Sequence, residues 1–351
     1  MKNTVLALVS SSLIFAAPLI QADTLSINQL QAKLAELESK ISQQPTAGNF
    51  INKLTVSGLM EVQASNKQAF DNSENDTSNA SLATFELSME ALVNANIHAS
   101  ATFIYEEGDT PFEMDTANIH FTNHQNIRAS VGQTYLPFGS FYSQQINDTL
   151  ALEIAESRNT AIMLGFIKSG FNADVYVFAN AEGKLNQSGL HLAYSTSAFT
   201  VDADYINNIL NSNSFNALIE ESTPTYFITK QDATSAISWH VTTKVAGIAL
   251  NAEYLALAKL SDESHELKIT ASQVEAAYHF TSTTVALAYQ QTQDAALLGL
   301  PEQRLSASAA FDVLSNTTLA VEIWHDEDYD ISHAGSGNSS DNFVIQAAVE
   351  F

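Results

Sequence analysis

From Lys53 to its end the sequence alternates with a period of two, and it does so in sixteen separate segments. In the first, Leu54, Val56, Gly58, Met60, Val62 and Ala64 share one face, with Lys53, Thr55, Ser57, Glu61 and Gln63 on the other. The second sets Ala83, Phe85, Leu87, Met89, Ala91 and Val93 against Thr84, Glu86, Ser88 and Glu90. Period two means extended backbone, because successive side chains of a strand point to opposite faces. Strands apolar on one side and small or polar on the other, repeated this often, are the pattern of a transmembrane β-barrel. The segments fall near 53–64, 82–93, 96–106, 115–122, 126–135, 160–167, 171–181, 188–197, 199–206, 232–243, 245–258, 272–281, 283–292, 304–313, 317–326 and 342–351. Tight turns, as at Asn94-Ala95, Lys168-Ser169-Gly170 and Thr281-Ser282, alternate with long polar loops near 65–81, 107–114, 136–159, 182–187, 207–231, 259–271, 293–303 and 327–341. The fold class expected is all-β: a 16-stranded antiparallel transmembrane barrel, with short periplasmic turns and long outer loops.

Proline and the aromatic residues test this independently. Proline cannot donate to a ladder, and all six (Pro18, Pro45, Pro111, Pro137, Pro224, Pro301) lie outside the sixteen segments. Tyr105, Tyr135, Tyr205 and Tyr289 fall at the outer ends of outward faces, and Phe121, Tyr194, Phe199, Tyr278, Phe280 and Phe311 at the periplasmic ends. Two aromatic girdles are expected at the two membrane interfaces. Only 15% of residues are charged, against a typical ~25%, because one face of each strand meets lipid.

The N-terminus is organised differently. Residues 1–22 read as a secretory signal peptide, with Lys2 as the positive start, an apolar stretch from Val5 to Ile20 and Ala22 at the cleavage site. No later window is apolar enough for a transmembrane helix. In residues 23–48, Ile27, Leu30, Leu34, Leu37 and Ile41 recur at alternating spacings of 3 and 4 before Pro45 and Gly48 close the segment. That reads as a coiled-coil seam, too short to be stable without a partner, with one amphipathic helix packed on or inside the following domain as the alternative. The expected domains are therefore a signal peptide (1–22), a periplasmic coiled-coil helix with linker (23–48) and an outer-membrane barrel (49–351). A homo-oligomer follows from the seam, with a trimer favoured, in the outer membrane of a Gram-negative bacterium and in contact with its lipid.

Charge bounds the cargo. With 39 acidic and 14 basic residues, and three Arg, the chain lacks the basic clusters that nucleic acid requires. The absence of Cys removes thiolate metal sites and thiol nucleophiles. The strand phase turns Glu61, Glu86, Glu90, Asp174, Asp202, Asp204, Glu253, Glu275 and Glu322 inward, against Lys53, Arg128 and Arg304. A lumen ringed by carboxylates favours cations and disfavours anions such as phosphate.

The third long loop mixes Leu150, Leu152 and Ile154 with Asp148, Glu153, Glu156 and Arg158, a composition suited to a loop packed against the inner wall. The stretch Gly132-Gln133-x-Tyr135-x-Pro137-Phe138-Gly139, followed by Ile146-x-Asp148-x-Leu150-x-Leu152-Glu153-x-x-Glu156-x-Arg158, resembles the LbtU family of siderophore porins. Thr149 departs from the pattern, standing where proline is expected after the Asp. The resemblance implies an outer-membrane channel for a ferric siderophore, lacking the plug of ~150 residues that larger, 22-stranded receptors carry. Asp148, Glu153, Glu156 and Arg158 are the expected constriction, with Pro137 and Gly139 shaping the entry of the loop and Glu61, Glu86, Glu90, Arg128, Glu253 and Glu275 lining the lumen wall. The terminal Phe351, with Val349, Ala347, Ile345 and Phe343 alternating behind it, resembles the signal read by outer-membrane assembly machinery in porins.

Other signals are weaker. Asp326, Asp328 and Asp330 alternate in the eighth loop like calcium ligands, but Ile331 stands where such a loop needs Gly. His98, His120, His191, His240 and His279 all turn inward and read as lumen-wall residues. No cofactor and no enzymatic activity are expected. A general, cation-preferring diffusion porin and a structural or adhesive barrel stand as the alternatives to siderophore passage.

Overall fold

The computed structural model describes residues 53–70, 76–123, 126–180, 182–221, 233–261 and 266–351. The expected signal peptide (1–22) and coiled-coil helix with linker (23–48) lie outside the described residues.

The strands are β1 (Leu54–Lys67), β2 (Thr77–Asn94), β3 (Ile97–Tyr105), β4 (Glu113–Thr122), β5 (Ile127–Tyr135), β6 (Arg158–Lys168), β7 (Phe171–Ala179), β8 (Leu185–Ser195), β9 (Phe199–Ile206), β10 (Ala236–Val245) and β11 (Ile248–Leu257). After a two-residue hairpin of β12 (Leu260–Ser261) and β13 (Glu266–Leu267) come β14 (Thr270–His279), β15 (Thr283–Gln293), β16 (Gln303–Leu314), β17 (Thr317–Glu327) and β18 (Ser339–Glu350). All but β12 and β13 close into one sixteen-stranded barrel, in which each strand pairs with its sequence neighbours and β1 closes on β18. Each of the sixteen expected segments corresponds to one barrel strand.

The alternation is realised as two surfaces. On β17, Leu319, Val321 and Ile323 are 43%, 41% and 63% exposed, while Ala320, Glu322 and Trp324 between them are buried. The same phase runs around the barrel, so its outside is an apolar belt that a water-soluble protein would have to cover. Tyr135, Tyr205 and Tyr289 are exposed near the long-loop end, and Phe121, Tyr194, Phe199, Tyr278, Phe280 and Phe311 near the short-turn end. Two of the short turns, Ser169-Gly170 and Ala246-Gly247, hold both residues at positive φ (+53° and +84°, +52° and +87°). This primed geometry matches the twist of the strands they join.

The first hairpin runs past the expected ends, with β1 reaching Lys67 and β2 starting at Thr77. Its extra residues are, apart from Ala80, polar, and all are exposed or half-exposed; there the ladder continues on backbone pairing after the lipid-facing alternation has stopped. Single extra residues at Ala83, Val93, Asp115, Asn186 and Val313 interrupt the register as β-bulges.

At the long-loop end the lumen departs from a polar interior. Tyr176, Phe178, Ile206, Leu255 and Leu257 turn inward and are buried. They receive two helices, α1 (Leu150–Ala155) in the third loop and α2 (Asn213–Glu221) in the fifth. Leu150, Ile154 and Phe215 are fully buried in the same apolar cluster. Transferring such side chains out of water is worth about 1.5–3 kcal/mol each.

Candidate functional site: the inward-folded loop

The third loop, residues 136–157, does not stand out into solvent. It enters at Leu136 and Phe138, both buried on either side of Pro137. Gly139 then turns at φ +78°, and the ring of Phe141 fills the space a β-carbon would need. From there the loop crosses the inner wall, and strand after strand supplies an acceptor for its backbone. Gly139 donates its N–H to Asp204 Oδ2 of β9 (3.0 Å). Ser140 and Phe141 donate to the two oxygens of Glu253 on β11 (2.9 Å each). The Ser143 hydroxyl (2.7 Å) and the Gln144 N–H (3.0 Å) reach Glu275 on β14. Ile146 and Asn147 both donate to Glu322 Oε2 on β17 (2.6 and 2.8 Å), and Leu150 to Gln290 Oε1 on β15 (2.7 Å). Wall donors answer: Gln273 Nε2 to the Tyr142 carbonyl (3.0 Å) and Ser308 Oγ to the Gln144 carbonyl (2.9 Å).

This ladder corrects the expected role of the wall. Glu253 and Glu275 were expected to line the passage, and with Asp204 and Glu322 they carry much of the inward acidity. All four are buried, between 1% and 6% exposed; Glu253 and Glu275 give both carboxylate oxygens to the loop, and Asp204 and Glu322 give one each. A buried carboxylate requires donors that stabilise its charge, and a loop without regular secondary structure has unpaired N–H groups to offer. These acids hold the loop.

The helix that follows is fixed by its start. Thr149 caps α1, its hydroxyl accepting from the Leu152 N–H at 3.1 Å. That is a role proline could not fill, since proline has no side-chain acceptor. Glu153 sits in the first turn, where the helix dipole favours an acid. Its carboxylate lies 3.4 Å from Arg304 Nη1, and Arg304 is held by Asp326 through Nε at 2.8 Å and Nη2 at 3.1 Å.

The expected constriction residues therefore separate. Asp148 is exposed to the lumen and acts electrostatically on Glu61 and Lys67 of β1. Glu61 lies in turn within the field of Glu86 on β2 and of Glu106 in the second loop. Glu156, at the C-cap of α1, is pushed up to about pKa 7, first by burial and then by the charges of Asp148 and Asp115, with Arg158 opposing. Arg158 departs from the expectation. As the first residue of β6 it pairs in register with outward-facing Tyr135, and it is drawn to the rim by Asp115 (2.7 Å) and Glu113 (2.9 Å). Arg128 is likewise committed, to Asp174 at 3.1 Å and Asn172 at 2.8 Å. Glu90 is exposed further toward the short turns.

The three acids of the eighth loop do not converge. Asp326 faces Arg304 and the Trp324 indole, while Asp328 accepts from the backbone and hydroxyl of Ser336 at 2.6 Å. Asp330 only starts a 3-10 turn. Among the described residues no group of three or more acids and histidines could hold a metal ion. The inward histidines form separate contacts: His98 stacks on His120 at 4.5 Å, His191 bonds Asp204 at 2.6 Å and His240 bonds Asp202 at 2.8 Å.

The motif that carries the family resemblance is, in the structure, the entry and anchor of this loop. Gly132 is required because its φ is +149° and a β-carbon there would collide with the Ala117 carbonyl. Gln133 and Tyr135 bond the bulged Asp115, and Leu150 and Ile154 seat the helix.

No known family model matches the chain. It is 24% identical over 366 residues to a UPF0422 protein of Coxiella burnetii, covering 94% of this chain and 75% of the relative. It is 23% identical over 334 residues to a UPF0422 protein of Legionella pneumophila strain Lens, covering 83% of this chain and 62% of the relative. The chain thus spans less than two thirds of that relative's length. Neither match extends the resemblance to the LbtU family. Among solved structures, the outer membrane channel DcaP of Acinetobacter baumannii aligns with TM-score 0.62 at 12% identity, over 85% of this chain and 97% of that one. Salmonella typhi OmpF, in complex with daunomycin, aligns at 0.61 and 13% identity over the same shares. Pseudomonas putida OprB aligns at 0.61 and 10% identity, over 88% of this chain and 96% of that one. The fold is that of these sixteen-stranded porins.

Proposed function

We propose that the chain is an outer-membrane diffusion channel of porin type, whose constriction favours cationic and net-neutral polar solutes. The observation that carries this is the docked third loop. It covers the wall from β9 to β17, consumes four of that wall's acids, and leaves Asp148 exposed, its charge felt at Glu61 together with that of Glu86. The passage is thereby bordered by carboxylates, which raise the local concentration of cations. The apolar belt supports placement in a bilayer, and the Gram-negative source of both the relatives and the structural neighbours supports the outer membrane.

Passage of a ferric siderophore is a narrower reading, supported by the resemblance at the loop. The acidic border admits it for siderophores that are cationic or neutral when loaded with iron, and opposes polycarboxylate ones. A homotrimer belongs to the same proposal, in line with the trimer form described for Vibrio cholerae OmpT. Reconstituted protein should show ion-conducting steps in planar bilayers, and liposomes containing it should take up a cationic ferric siderophore faster than an anionic one of similar size. Bilayers without conducting steps would refute the channel. Equal uptake of both siderophores would refute the charge rule while leaving the channel intact.

A further inference from the structure

Beneath the docked loop, toward the short-turn end, the lumen wall of β9, β10, β11 and β14 borders an open cavity of about 510 Å³. We propose that this cavity is a binding subsite for zwitterionic peptides of two or three residues, taking the ammonium at Asp202 and the carboxylate at Lys244. The inference rests on the channel reading and names one class of cargo for it.

The two charges are placed and prepared differently. Asp202 Oδ2 accepts from His240 Nδ1 (2.8 Å), leaving Oδ1 for a ligand. His240 Nε2 lies 2.8 Å from Asn251 Oδ1, and the Asn251 amide donates to the Tyr142 carbonyl of the third loop. Docking of the loop thus fixes Asn251, Asn251 fixes the imidazole, and the imidazole fixes the carboxylate. Lys244 is exposed, lines the same cavity, and has no acid partner among the described residues. A lone ammonium in a lumen of this acidity marks a place where an anionic group is accepted.

Spacing selects the length. Asp202 pairs across from His240, and Lys244 lies four residues along the same strand. That is about 13 Å at the rise of a β-strand. A lysine side chain spans roughly half of this, leaving a charge-to-charge gap of about 7–10 Å, the reach of two or three extended residues. Thr200 and Thr242 pair across between the two charges as hydroxyl partners for peptide groups, and Ser140 and the half-exposed Tyr142 of the loop line the same cavity. A zwitterion carries no net charge past the acidic constriction, where a free anion would be repelled.

The test is single-channel recording of the full-length protein with trialanine added at the short-turn side, compared with trialanine acetylated at the N-terminus and amidated at the C-terminus. Trialanine should interrupt the current at millimolar concentration, and the capped peptide should not. Lys244→Gln should weaken the interruption about tenfold, the scale of one lost charge contact, while Lys168→Gln on the outward face of β6 should not change it. Equal interruption by both peptides, or an unchanged response in Lys244→Gln, would overturn the subsite and leave the channel reading standing. Absence of ionic steps in the unmodified protein would remove both.

Discussion

At position 58 the barrel's first strand meets its last residue. Gly58 and Phe351 exchange both backbone hydrogen bonds (2.8 and 3.0 Å), and the Phe351 ring lies where a β-carbon on residue 58 would be, 2.5 Å away. An aromatic ring laid over a strand glycine covers backbone that would otherwise be bare. Gly58→Ala should therefore reduce the folded fraction, read as the heat-sensitive band shift on denaturing gels, and pairing it with Phe351→Leu should recover part of the loss. Equal losses in the single and double variants would contradict the contact. A second residue reports on the constriction through pH. With its pKa near 7, Glu156 is mostly neutral at pH 6 and mostly charged at pH 8, so cation preference should rise across that interval. In Glu156→Gln the rise should flatten. Stability runs in the opposite sense. A carboxyl whose pKa is raised by folding stabilises the fold at pH below its unfolded value, and that contribution is lost as pH rises through about 7. Glu156→Gln should accordingly gain stability relative to the unmodified chain at pH 8 and not at pH 4.

The third loop is half legible in the sequence. Its content of Leu150 and Ile154 beside charged residues predicts packing on the wall, and the structure packs it there. Its helix is announced only by the spacing of those two residues and by Thr149 at the cap, a signal too brief to separate from an apolar strand. The anchoring acids were legible as inward-facing but not as occupied, because strand phase says which way a carboxylate points and nothing about what comes to meet it. The rim clamp was hidden for a related reason. One bulged residue, Asp115, leaves composition and alternation intact yet turns its carboxylate to Arg158 and Tyr135. Glu253→Gln tests the anchoring. Gln offers one acceptor where the loop presents two N–H groups, so a charge-assisted bond worth about 1.5–3 kcal/mol is lost. The expected result is larger and noisier conductance, and a quiet, unchanged pore would contradict the tether. The proposed coiled-coil helix is tested separately: deleting residues 23–44 should leave barrel insertion intact and weaken oligomers on native gels, and unchanged oligomers would end that proposal.

At the scale of the whole molecule, one constraint accounts for what the sequence discloses. A closed barrel between lipid and water must keep two faces apart on every strand, so strand number, phase, turn side and girdles are all written locally, in steps of two residues. The composition follows, since a lipid-facing half and a water-facing half average to something that looks soluble. The arrangement inside the lumen depends on contacts between residues more than a hundred positions apart, such as Ser140 with Glu253 or Ile146 with Glu322, and no local pattern records them. Those contacts separate four inward acids that hold the loop from the rest, among which Asp148, Glu61 and Glu86 are the ones proposed to meet the solute. The reversal potential of the reconstituted protein in a potassium chloride gradient measures that division directly. The account predicts a potential of the sign for cation selectivity, reduced in Asp148→Asn and in Glu61→Gln. An anion-selective potential, or a cation-selective one that neither substitution alters, would contradict it.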